Sequence, residues 1–226
     1  MRILLVAATE GEVAPVVTRF SEAARQGVRL TRYVFAGHEV HLLTTGVGMV
    51  ATSAWCSRTL VEHSYAMALN VGVCGSFDRT LEPGTVVHTL SDRIVDLGAE
   101  DDDRFLTIEE LGLTDCDNAP YTRAELRNPS PPANDVLLKL PRVSGITVNT
   151  VHGNERSIAA VMQRVKPQVE TMEGAAFMYA CLIHGVQFAQ VRAVSNFVEK
   201  RNRGAWKMSE ALGNLAAVVG GILEAV

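Results

Sequence analysis

The segment from Val169 to Glu199, VETMEGAAFMYACLIHGVQFAQVRAVSNFVE, constrains the fold more than any other stretch of the chain. An apolar run with helical character, about Glu173–His184, leads within a few residues into a β-branched apolar run, Gln187–Val194. A helix feeding a buried strand belongs to a layered α/β architecture, in which helices cover a sheet. The Met172-Glu173-Gly174 corner sets an acid at one element boundary, and Ser195-Asn196 sets a hydroxyl and a carboxamide where the following strand is expected to stop.

The rest of the chain repeats the alternation. Strands are predicted over Arg2–Ala8, Val40–Thr45, Ala66–Val71, Thr85–Leu90 and Ile146–Val151, with helices over about Glu12–Ala24, from Gly48 to His63, Ser157–Val165 and Ala205–Glu224. Several strand runs are continuously apolar, as in strands covered on both faces. The 226 residues, 47% of them hydrophobic, can bury a sizeable core, and no Gly/Ser linker divides them, so 1–226 reads as one α/β domain. Glu100–Arg104 reads as a solvated acidic loop. Asp115–Asn134, with Pro129, Pro131 and Pro132, reads as a long loop of the kind that can form a lid.

Composition narrows the function. A net charge of −4 without a Lys/Arg cluster argues against a nucleic-acid surface. No apolar stretch reaches the ~18 residues of a membrane span, and MRILLVAATEGE is too short for a signal segment, so it reads as a first buried strand. Cys56, Cys74, Cys116 and Cys181 are scattered, without a CxxC pair or His at metal-ligand spacing, which fits free thiols in a reducing cytoplasm.

Four constellations carry chemistry. Thr9-Glu10-Gly11-Glu12 fits a helix capping box, although Pro15 would then lie inside the helix; a start nearer Gly11 puts Glu12 at the carboxyl end of the first strand, where α/β sheets bind ligands and a carboxylate can take a proton from water. Gly46-Val47-Gly48-Met49-Val50-Ala51 matches a dinucleotide fingerprint, but the next strand ends Leu69-Asn70-Val71 without the acid that binds ribose, so a close turn or plain packing is favoured. Asn70–Ser76 reads as a strand-to-turn passage whose glycines allow positive φ or close backbone approach; it offers no Arg or hydroxyl to phosphate at Asn70 or Val73, and Cys74 reads as a small buried hydrophobe. Glu173 serves either a helix N-terminus or a ribose diol, Arg192 in its apolar strand needs an acid partner, and Asn196 is either a turn residue or an amide suited to a purine edge.

Taken in order, Ala8-Thr9-Glu10-Gly11-Glu12-Val13, Thr45-Gly46-Val47-Gly48, Asn70-Val71-Gly72-Val73-Cys74-Gly75, Met172-Glu173-Gly174-Ala175-Ala176 and Arg192-Ala193-Val194-Ser195-Asn196 resemble the purine nucleoside phosphorylase and nucleosidase superfamily over nearly the whole chain. Asp96-Leu97-Gly98-Ala99-Glu100, the MEGAAF corner, RAVSNFVE and Arg201-Asn202-Arg203 with Trp206 are most similar to its futalosine hydrolase branch. The resemblance implies a three-layer αβα sandwich with a central mixed, mostly parallel sheet, assembled as a homo-oligomer. It implies a small-molecule nucleoside substrate, no cofactor and no metal, and no nucleic-acid or membrane partner. The implied reaction is hydrolysis of futalosine to hypoxanthine and dehypoxanthinyl futalosine, a step of menaquinone biosynthesis. The implied site has Glu12 activating water, Glu173, Met172 and Gly75 binding substrate, and Asn196 at the base.

The superfamily's phosphorylases carry an Arg and a Ser where this chain has Asn70 and Val73, which favours water over phosphate. Its methylthioadenosine nucleosidases carry an Asp where this chain has Asn196, which favours a 6-oxopurine over adenine. A methylthioadenosine/adenosylhomocysteine nucleosidase, a purine nucleoside phosphorylase and a non-catalytic nucleoside-binding protein are the rival readings. Arg201, Arg203, Arg123 and the 115–134 loop are the candidates for contacts to the 5′ substituent, and 151–155 for the base.

Overall fold

A computed structural model describes residues 1–226, apart from the side chain of Glu22. The strands are β1 (Arg2–Ala7), β2 (Ser21–Arg25), β3 (Leu30–Phe35), β4 (His38–Thr44), β5 (Met67–Ser76), β6 (Val86–Asp92), β7 (Gly98–Asp101), β8 (Arg104–Thr107), β9 (Leu126–Arg127), β10 (Arg142–Thr147), β11 (Val169–Thr171) and β12 (Phe188–Phe197). The helices are α1 (Glu10–Val17), α2 (Met49–Glu62), α3 (Asp135–Lys139), α4 (Glu155–Arg164), α5 (Gly174–His184) and α6 (Met208–Glu224), with a 3₁₀ turn over Arg203–Ala205.

The main sheet runs β11-β10-β6-β12-β5-β1-β4-β3-β2, with β9 added beside β6. β4, β1, β5 and β12 are mutually parallel, β6, β10 and β11 are parallel to one another, and antiparallel pairs join β6 to β12 and place β3 and β2 at the margin. β11 also pairs antiparallel with the end of β5, so the sheet curls back on itself beside the last residues of β5. Alternate side chains of β1 enter different cores: Ile3, Leu5 and Ala7 join α1, α3 and α6, whereas Leu4 and Val6 join α2 and α5. This two-sided burial gives the three layers and explains why the β1 run is apolar without alternation.

Several boundaries differ from the sequence reading. The first helix ends at Val17, and 21–25 form a marginal strand instead of its last turns; β2 and β3 are ladder partners of β4, a long-range pairing with no local signature. Helix α1 is capped at Thr9 with Pro15 inside it, because the Glu12 carboxylate accepts the Thr9 N–H at 3.1 Å and so satisfies the capping residue. Glu100–Arg104 is not a free loop but the tip of the β7–β8 hairpin. Strand β5 continues through Gly72 and Gly75 instead of turning there, and β12 continues through Ser195 and Asn196 to Phe197, with its register shifting between Val194 and Asn196.

Candidate active site

The carboxyl ends of β1, β4 and β12, the second half of β5 and the corner after β11 converge on one cleft of about 450 Å³. Glu12, Gly75, Met172, Glu173 and Asn196, the five residues singled out from sequence, all line it. So do Glu170 and Trp206, which the sequence reading did not place.

Glu12 is fixed by three donors. Its Oε2 accepts from Thr9 N–H and Thr9 Oγ1, both at 3.1 Å, and its Oε1 accepts from the backbone N–H of Val73 at 3.2 Å. The cap and the site are therefore the same carboxylate, and the two readings of Glu12 do not exclude one another. Gly72 explains how the group reaches the sheet. A Cβ there would stand 2.6 Å from both Glu12 Oε1 and Arg192 Nη1, so a side chain would displace one of them. Close approach, not positive φ, is what the β5 glycines supply; at Gly75 a Cβ would meet Val198 at 2.9 Å.

Glu173 stands just ahead of α5 and is 6% exposed. Its Oε1 accepts the N–H of Gly48 at 3.0 Å, and its Oε2 lies 3.9 Å from Arg192 Nη1. Burial pushes its carboxyl above the usual carboxylate range, against the opposing effects of the Arg192 guanidinium and the Gly48 N–H. The Gly46–Gly48 turn is thus a backbone donor to an acid, with φ of +89° and +95° at its two glycines. Arg192 is fully buried and donates through Nη2 to the carboxamide oxygen of Asn70, whose own Nδ2 donates to Val6 O at 3.2 Å. The acid partner expected for Arg192 is Glu173, joined by Asn70.

The start of α5 rests on a buried polar network. Thr171 Oγ1 accepts the N–H of Gly174 at 3.1 Å, and Thr147 Oγ1 accepts that of Ala175 at 2.7 Å and donates to Asp92 Oδ1 at 2.9 Å. Gln190 Nε2 donates to the other Asp92 oxygen at 2.9 Å. Burial pushes the Asp92 carboxyl up to about 6, in spite of these hydrogen bonds.

Asn196 is half-buried. Its Nδ2 donates to Phe197 O at 2.9 Å and its Oδ1 accepts from Ser195 Oγ at 2.8 Å, leaving one N–H and one lone pair for a ligand. Cys74 lines the cleft as a buried thiol pushed up to about 12 by burial, which suits the apolar reading and not a nucleophile. Val151, His152 and Gly153 border a smaller cavity of about 120 Å³ that shares Gly75, Glu170, Asn196 and Trp206 with the cleft. Arg201 lines this smaller cavity, its guanidinium 5.5 Å from the Trp206 ring centre, with Arg203 at 6.0 Å. Arg123 and the 115–134 loop line neither space. That loop folds onto α5 instead, with Tyr121 and Tyr179 ring centres 5.9 Å apart, so it is not a lid in this structure.

The class follows from the whole chain: it belongs to the phosphorylase superfamily, whose family model matches residues 2–224. Futalosine hydrolase of Streptomyces coelicolor is 30% identical over 97% of this chain and 94% of that protein. The 5′-methylthioadenosine/S-adenosylhomocysteine nucleosidase of Bacillus pumilus is 24% identical over 89% of this chain and 88% of its own. Native futalosine hydrolase of Helicobacter pylori superposes with a TM-score of 0.82 at 14% identity, covering 100% of this chain and 98% of that one, and shares its fold. Among the described residues, no helix is long and apolar enough to cross a membrane.

Proposed function

We infer that this protein is a nucleosidase that hydrolyses the N-glycosidic bond of futalosine, releasing hypoxanthine. One observation carries hydrolysis over phosphorolysis. Glu12, Glu170 and Glu173 line the cleft, and among the described residues no Lys or Arg does; Arg192 is buried behind Glu173 and engaged by Asn70. A phosphate dianion entering this space meets carboxylates and no Lys or Arg, whereas the oxocarbenium-like transition state of C1′–N9 cleavage is stabilised by them. Among the curated relatives, the likeness to the Streptomyces coelicolor enzyme supports futalosine as substrate.

In this reading Glu173 accepts the ribose 2′,3′-diol and Met172 packs against the sugar. Water attacks C1′ and gives a proton to Glu12, whose three donors hold it in one orientation; general-base help of this kind contributes ~10²–10⁴-fold. Asn196 donates its free N–H to N7 or O6 of the base, a set of contacts that fits a 6-oxopurine. The protein acts as a homo-oligomer, a reading supported by Val47 and Val50, 57% and 83% exposed beside the cleft at the start of α2. Reaction in ¹⁸O-labelled water tests the hydrolysis. The label is expected at C1′ of the sugar product, and an unlabelled sugar phosphate formed in phosphate buffer overturns it.

A further inference from the structure

The steps above leave unassigned the proton that a departing purine requires, and they leave unused one buried acid–imidazole pair. We propose that His152, held by Glu170, donates that proton to the leaving base; the proposal rests on the nucleosidase reading.

Glu170 lies on β11 and is 4% exposed, and both of its oxygens turn to one residue: Oε1 accepts the backbone N–H of His152 at 2.9 Å, and Oε2 pairs with His152 Nδ1. A carboxylate on Nδ1 fixes the ring's orientation and leaves Nε2 as the nitrogen that faces a ligand. Among the described residues His152 Nε2 has no partner within hydrogen-bond reach. The Phe77 ring stands against the imidazole, centres 6.0 Å apart and planes at 67°, and limits its tilt. His152 borders the small cavity together with Asn196, and Glu170 borders both this cavity and the main cleft, so the imidazole sits on the side of the site assigned to the base.

The other charged groups around the small cavity are already engaged. Glu199 pairs with Arg79 at 2.9 Å, and Arg201 stands over Trp206. His152 is the only imidazole lining either space among the described residues. Asn196 can donate a hydrogen bond but not a proton.

The step balances. As C1′–N9 breaks, its electron pair moves onto the purine and His152 Nε2 gives the base a proton. Water's oxygen bonds to C1′ and its proton goes to Glu12. Solvent then returns a proton from Glu12 to His152.

The test compares leaving groups in the intact protein. His152→Gln is expected to lose on the order of 10²–10⁴-fold in kcat on the nucleoside. On 4-nitrophenyl riboside, or on a 7-methylated nucleoside whose base departs neutral, it keeps the wild-type rate. Glu170→Gln, which retains an acceptor for the His152 N–H but loses the charge, shows a smaller loss on the nucleoside than His152→Gln, and a smaller loss again on the activated substrates, where only its charge on the cleft is missed. Equal losses on both kinds of substrate in either variant, with thermal melting unchanged, would mean a positioning role only and overturn the proposal, as would full activity of His152→Gln on the nucleoside. If the wild-type protein releases adenine from methylthioadenosine and no hypoxanthine from futalosine, the futalosine reading falls, and the same leaving-group comparison is run on methylthioadenosine.

Discussion

The backbone N–H of Gly48 donates to Oε1 of Glu173 at 3.0 Å, across 125 positions of sequence. Gly48 holds φ +95° and ψ 164°, a conformation open to glycine almost alone. Gly48→Ala therefore strains the turn by ~1–3 kcal/mol and withdraws the donor that orients Glu173. Steady-state kinetics should show KM rising by about tenfold, as expected for a lost charge-assisted hydrogen bond, in a protein that still folds. An unchanged KM would mean that Glu173 does not depend on this turn.

Glu12→Gln and Glu173→Gln separate the two acids. Each keeps the volume and loses the charge, so the circular dichroism spectrum stays native while kcat falls by ~10²-fold or more. Near-wild-type turnover by either variant removes that residue from the mechanism.

Asp92 gives a pH signature of stability. Burial pushes its carboxyl up to about 6 from an ordinary 3.8, so between these values the unfolded chain binds fewer protons and stability falls as pH rises. The difference corresponds to about 3 kcal/mol that is lost by neutral pH. Asp92→Asn abolishes this slope, and its amide can donate to Gln190 Oε1, a buried atom without a partner. Urea denaturation at pH 4 and pH 7 should show the variant gaining on wild type as pH is raised; parallel profiles would contradict this.

The cysteines differ in access. Cys56 and Cys74 are buried with thiols pushed up to about 12, Cys181 is buried and raised well above the usual thiol range, and Cys116 is exposed on the loop after β8. Native protein treated with iodoacetamide should gain one adduct, at Cys116, and keep its activity. A second adduct at Cys74 would show that the cleft opens further than this structure does.

How much of this was legible beforehand follows from how local each signal is. The β1 run and the MEGAAF helix carry their burial in consecutive residues, so their positions were readable, and the five chosen site residues do share one cleft. The β2–β3 margin was invisible because its stability comes from the ladder to β4. Ser195 and Asn196 looked like a strand end because polar residues commonly mark turns, yet β12 tolerates them through a register shift beside β5. Glu170 and His152 were missed as a pair because nothing across the 18 positions that separate them signals that β11 returns to the loop after β10. The only hint was a second acid, Glu170, three residues ahead of Glu173.

Release of free base from futalosine, inosine and methylthioadenosine in phosphate-free buffer, followed by chromatography, bears most directly on the hydrolase assignment. Rapid hypoxanthine release from futalosine, with little from inosine and no adenine from methylthioadenosine, is the expected pattern. Release that begins only when phosphate is added, or adenine release from methylthioadenosine in place of hypoxanthine, would show that the cation-free cleft and Asn196 had been misinterpreted.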